Sequence, residues 1–127
     1  MNNYVLDSWA WIEYFDGTKI GEKVREHIKK DAVFTSAVTL TEVISKMKRR
    51  RLDADSAFDA ITSVSKVILI TEISAKEAGL IHAAVKASKS NFSFGDAYAL
   101  QTARRLGAKV LTGDPDFKGI KEAEMLK

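Results

Sequence analysis

Asn3-Tyr4-Val5-Leu6-Asp7, near the start of the chain, and Ala108-Lys109-Val110-Leu111-Thr112-Gly113-Asp114-Pro115-Asp116, near its end, decide the fold. Each stretch is a short apolar run followed at once by an aspartate or by a turn rich in aspartate. Such runs, bounded by turn formers, read as strands. Their nearly unbroken apolar character is that of strands covered on both faces, as in parallel sheets. The segment Gly113-Asp114-Pro115-Asp116 reads as the turn that ends the second of them.

Working outward, strands and helices alternate. Residues 8–16 are predicted as a short helix bearing Trp9, Trp11, Ile12 and Phe15, broken by Gly17. Ile20, Val24 and Ile28 recur every fourth position, so 19–30 reads as an amphipathic helix. Residues 31–36 read as a strand. Thr39-Leu40-Thr41-Glu42 has capping-box spacing and predicts a helix opening there and running to about Arg51. A helix over 53–64, a strand over 66–71 and a helix over 74–88 follow. Ser93-Phe94-Gly95-Asp96 opens another helix, which runs to Leu106 and stops at Gly107. The strand 108–112 and a last short strand near 123–126 complete the order. This alternation predicts a three-layer α/β/α architecture with a central parallel sheet of about five strands, within one domain over residues 1–127.

Composition narrows the chemistry. At 127 residues, with 46% hydrophobic and 29% charged residues, the chain has ordinary globular character. It contains no cysteine, which excludes disulfides, thiolate nucleophiles and cysteine-bound zinc. The two histidines, His27 and His82, lack metal-site spacing and read as a surface residue at a helix end and a structural residue. No basic leader precedes Tyr4 and no apolar run reaches membrane-spanning length, so a soluble cytoplasmic protein is expected. The net charge of +3 suits an anionic partner. It is concentrated in Lys46, Lys48, Arg49, Arg50 and Arg51, with a smaller cluster at Arg104 and Arg105.

The acids carry the chemical signal. Asp7 closes the first strand, Asp114 and Asp116 follow the strand 108–112, and Glu42 and Asp96 lie in first turns of predicted helices. Ligands of an open α/β sheet bind outside the carboxyl ends of its strands. If 3–7 and 108–112 are neighbours, a pool of carboxylates forms there. Each acid also has a plain structural reading: Asp7 as a helix cap, Glu42 and Asp96 as capping-box partners, Asp114 and Asp116 as turn formers. Together they would repel one another and call for a cation. Oxygen ligands without His or Cys point to Mg²⁺ or Mn²⁺, and a site of this kind suits chemistry on phosphates.

Val5-Leu6-Asp7-Ser8, Thr41-Glu42-Val43, Phe94-Gly95-Asp96-Ala97 and Leu111-Thr112-Gly113-Asp114-Pro115-Asp116-Phe117 occur in this order along nearly the whole chain. Together they resemble the PIN domain, in particular the VapC-type toxins of type II toxin–antitoxin systems. The resemblance implies an α/β/α fold and an RNA phosphodiester hydrolase that uses Mg²⁺ or Mn²⁺. It assigns the acidic quartet to Asp7, Glu42, Asp96 and Asp114, with Asp116 as a further metal-binding acid. It sets Ser8 and Thr112 where hydroxyls orient carboxylates or waters around the metal. It also implies a homodimer and a cognate antitoxin whose tail blocks the site.

Lys46, Arg49 and Arg50 follow Glu42 on one predicted helix, where they would carry an RNA backbone toward the acids or pair with an acidic antitoxin tail. Lys46 lies four residues after Glu42 and would share its face. The plain alternative is a solvated helix end whose cations suit the C-terminal dipole. Trp9, Trp11, Phe15, Phe92 and Phe94 read as core or dimer interface rather than base-stacking residues. Three other functions fit less well. A haloacid-dehalogenase-like phosphatase needs an acid where Trp9 stands. A signalling receiver needs an aspartate after the third strand, where Thr71-Glu72 stands. A catalytically inactive PIN-like module that binds RNA or protein would not need the complete acidic set.

Overall fold

The computed structural model describes residues 2–127. These form strands β1 (Asn3–Leu6), β2 (Ala32–Ser36), β3 (Lys66–Ile68), β4 (Lys109–Thr112) and β5 (Ala123–Met125). The helices are α1 (Ser8–Asp16), α2 (Lys19–Lys30), α3 (Ala37–Arg49), α4 (Ala54–Val64), α5 (Glu72–Lys86) and α6 (Phe94–Leu106), and Pro115–Phe117 makes one 3₁₀ turn. The five strands form one sheet in the order β3-β2-β1-β4-β5, and every pairing is parallel. The chain leaves β1 toward β2 on one side and later returns to β4 on the other. The order therefore reverses between β1 and β4, which opens a crevice at their carboxyl ends.

Alternation along the strands sends side chains to two cores. Tyr4, Leu6 and Leu111 face one core, shared with Trp11 and Ile12 of α1, Val24 of α2, Val43 and Met47 of α3 and Ile61 of α4. Val5 and Val110 face the other, with Ala78 of α5, Leu100 and Ala103 of α6, and the rings of Phe92 and Phe117. These two cores are what the continuous apolar strands require. Trp11 is fully buried, and its indole N–H donates to Thr35 Oγ1 at 3.2 Å, which in turn meets Ser65 Oγ at 2.8 Å. No helix of the described residues is long and apolar enough to cross a membrane.

Two boundaries in particular differ from the sequence reading. Helix α3 does not open at a capping box on Thr39. Ser36, the last residue of β2, caps it instead, accepting from Val38 N–H at 3.1 Å. The chain turns straight from strand to helix, so Thr39 lies inside α3 with a buried hydroxyl that has no hydrogen-bond partner. Glu42 is thereby released from any capping duty. Strand β3 stops at Ile68 because its partner β2 ends at the Ser36–Ile68 register pair and passes into α3. Leu69 and Ile70, expected in the strand, lie 74% and 48% exposed. Thr71 then caps α5 in a reciprocal box with Ser74.

Helices α1 and α2 cross closely at Gly21, where an added Cβ would lie 2.1 Å from the carbonyl oxygen of Glu13. Backbone cannot yield there as a side chain can. Gly21→Ala is expected to destabilise the fold by about 1–3 kcal/mol, the usual cost of overpacking. Urea denaturation measures it, and an unchanged midpoint would refute this close crossing.

Candidate metal centre

Five acids from four parts of the chain meet at the crevice between β1 and β4. Asp7 follows β1 and is the N-cap of α1. One carboxylate oxygen accepts from Ala10 N–H at 2.9 Å, and the other accepts from the hydroxyl of Thr112 at the end of β4. Thr112 Oγ1 also accepts from Asp114 N–H at 2.9 Å, and Asp114 accepts from Asp116 N–H at 2.9 Å across the 3₁₀ turn. One buried hydroxyl thus links the ends of the two central strands. Asp96 is the third residue of α6 and completes the expected capping box: it accepts from Ser93 N–H at 2.9 Å while Ser93 Oγ accepts from Asp96 N–H at 3.1 Å. Glu42 reaches in from α3. Its carboxylate lies against Gly95, where a Cβ would fall 2.3 Å from Oε2. Only glycine lets a carboxylate come so close to the first turn of α6.

Oxygens of Asp96, Asp114 and Asp116 lie within 4.8 Å of one another. Asp7 is influenced by the charges of Asp96 and Asp114, and Glu42 by that of Asp96. Among the described residues none of the five makes an ion pair. Burial pushes the Asp7 carboxyl up to about 7, against the hydrogen bonds from Thr112 and Ala10, with the neighbouring acids adding to the rise. Burial, then the charge of Asp96, carries Glu42 to about 7. Asp96 is raised by burial first and by Asp114 and Asp116 after it, against the pull of its cap to Ser93. A site made of desolvated, mutually repelling oxygen donors fits a hard divalent cation.

Beside the acids runs a groove of about 380 Å³ lined by Ser8, Trp9, Ile12, Glu13, Glu42, Lys46, Arg49 and Asp114. Lys46 and Glu42 share this wall without pairing. Arg50 points away, its guanidinium holding Asp16 of α1 at 3.0 and 3.3 Å. Trp9, also in the lining, packs on Gly113 because that residue has no side chain: a Cβ there would lie 2.3 Å from the indole ring. The sequence reading did not single out Glu13. It shares a helix face with Trp9 and Ile12 at i, i+3, i+4 spacing, which is the signal that marks it. Of the aromatics, Trp11 and Phe92 are buried as expected, whereas Phe94 is 64% exposed.

The PIN domain family model matches residues 4–123. The chain belongs to the PIN domain family. A comparison with curated proteins returns no match. Among solved structures, this PIN domain resembles Mycobacterium tuberculosis VapC20, a sarcin-ricin loop cleaving toxin, with a TM-score of 0.78 at 21% identity over 98% of this chain and 99% of that one. A toxin–antitoxin complex from Klebsiella pneumoniae matches with a TM-score of 0.74 at 20% identity, covering 96% of each chain. VapBC2 from Rickettsia felis, bound to a DNA fragment from its promoter, matches with a TM-score of 0.73 at 17% identity over 98% and 99%. At these identities the likeness establishes the fold.

The raised carboxyls make the stability of the metal-free protein depend on pH. The unfolded chain releases these protons near pH 4, and the folded chain releases those of Asp7 and Glu42 only near 7. Between those values the unfolded state holds fewer protons, so stability falls as pH rises and levels off above about 7. In EDTA, denaturation midpoints are expected to drop from pH 5 to pH 8. Asp7→Asn should flatten that profile and be the more stable protein at pH 8. A wild-type profile as flat as the variant's would contradict the burial of these charges.

Proposed function

We propose that this PIN domain is a Mg²⁺- or Mn²⁺-dependent endoribonuclease that hydrolyses RNA phosphodiester bonds, and that it acts as the toxin of a toxin–antitoxin pair. The observation that carries the proposal is the convergence of five carboxylates, none of them ion-paired among the described residues, beside a groove that also carries Lys46 and Arg49. Asp96, Asp114 and Asp116 are the residues that would hold the ion, with Asp7 and Glu42 completing the set. A divalent ion in such a site supplies Lewis acidity, activating a water and neutralising the charge that develops on the phosphate.

The remaining work falls to the chain. Thr112 and Ala10 N–H fix Asp7 in one orientation. Ser93 does the same for Asp96. Ser8, which follows Asp7, lines the groove, where its hydroxyl would order water. Lys46 and Arg49 receive the phosphates that flank the scissile one, which gives affinity without sequence preference. No histidine lies among these groups, so carboxylates are the proton carriers of the site.

The toxin assignment draws on the fold, which this chain shares with toxins of VapBC pairs. We assign it a cognate antitoxin for the same reason. We also propose a homodimer: Leu69, Ile70, Ile73 and Leu80 expose a concentration of apolar side chains that a second copy would cover. Light scattering should then return twice the chain mass of 14.1 kDa, and Leu80→Asp should return the single chain.

Purified protein is expected to cleave a mixed pool of RNA in Mg²⁺ or Mn²⁺, and EDTA should abolish cleavage. Asp7→Asn and Asp96→Asn should each lower the rate about 100-fold or more, with circular dichroism unchanged. Full activity in either variant, or in EDTA, would refute the assignment.

A further inference from the structure

Three aromatic rings form a row that begins in the core and ends in solvent two residues before Asp96. Phe92 is fully buried. His82 of α5 lies 6.5 Å from it at 34°, half-buried. Phe94, the first residue of α6, stacks on His82 at 4.1 Å and 25° and is 64% exposed. The sequence reading placed Phe94 in the core or at an interface, and within this chain His82 is its one aromatic neighbour among the described residues. Leaving a phenyl ring in water forfeits burial free energy, while its place in the same helical turn as Asp96 gives the exposed ring a use. The next residue, Gly95, touches the Glu42 carboxylate, and Asp96 follows directly. Glu42 in turn lines the groove that carries Lys46 and Arg49.

Resting on the nuclease reading above, we propose that Phe94, backed by His82, is the platform on which an unpaired base of the RNA stacks next to the scissile phosphate. A base would continue the array as its next ring. Stacking of this kind tolerates any sequence, because every base has a π-face, and it selects single-stranded over paired RNA. Phe94 acts by binding and positioning, and takes no part in the bond-breaking step.

The test is steady-state cleavage of fluorescently labelled single-stranded RNA of mixed sequence in Mg²⁺. Phe94→Ala is expected to raise KM about 5- to 100-fold, the range of one lost base stack, with kcat nearly unchanged. Phe94→Trp should restore KM and Phe94→Leu should not. His82→Ala should raise KM less, and His82→Phe should reverse that rise. An unchanged KM in Phe94→Ala, or full rescue by leucine, overturns the platform while leaving the nuclease standing. If light scattering shows that Phe94→Ala halves the particle mass, the ring is a subunit contact and the proposal fails. If the wild-type protein cleaves no RNA with metal, the nuclease reading fails and the platform with it.

Discussion

Parallel pairing of β1 with β4 sets Leu6 opposite Leu111, and so brings the residues that follow, Asp7 and Thr112, together at one end of the sheet. The hydroxyl of Thr112 then donates to Asp7 and accepts from the backbone of Asp114. Everything at the site is arranged around that contact. The turn after β4 presents Asp114 and Asp116, α6 aims its capped first turn at the same point, and α3 supplies Glu42 across Gly95. Were the two strands not neighbours, these acids would be ordinary caps and turn residues.

The two ends of the sheet treat charge differently. At the amino end, Tyr4 donates to Glu124 at 3.0 and 3.1 Å, and His27 meets Asp31 at 3.0 Å. Those groups satisfy one another, and Asp31 is held below the usual carboxylate range chiefly by its bond to His27. At the carboxyl end no described residue forms an ion pair with the acids, and burial pushes the carboxyls of Asp7, Glu42 and Asp96 up. An arrangement that is costly in the metal-free protein would be stabilised by a bound cation, which would couple folding free energy and metal affinity through the same carboxylates.

Close packing sets the shape of the site as much as charge does. Gly95 and Gly113 matter for the side chains they lack. One lets the Glu42 carboxylate rest on α6, and the other lets Trp9 lie over the turn that carries Asp114. The basic cluster of α3 is divided by the same geometry. Lys46 and Arg49 face the groove, while Arg50 fastens the end of α3 to Asp16 of α1.

What the sequence by itself determined was local. The apolar runs marked the strands, the period of α2 marked its buried face, the Ser93–Asp96 box opened α6 and Gly107 closed it. Hydrogen bonds and periodicity that span three or four residues are legible in a linear chain. The order of acids at element ends was legible too, together with the inference that they would need a cation. The tertiary structure alone decided which elements became neighbours. It capped α3 with Ser36 instead of Thr39, ended β3 where β2 ran out, turned Arg50 from the groove and left Phe94 open to water. The end of β3 and the turn of Arg50 depend on partners far away in sequence, as Asp7 and Thr112 are at 105 residues apart. No local pattern encodes such a pairing, because it is fixed only when the sheet and its two helical layers close around a common core.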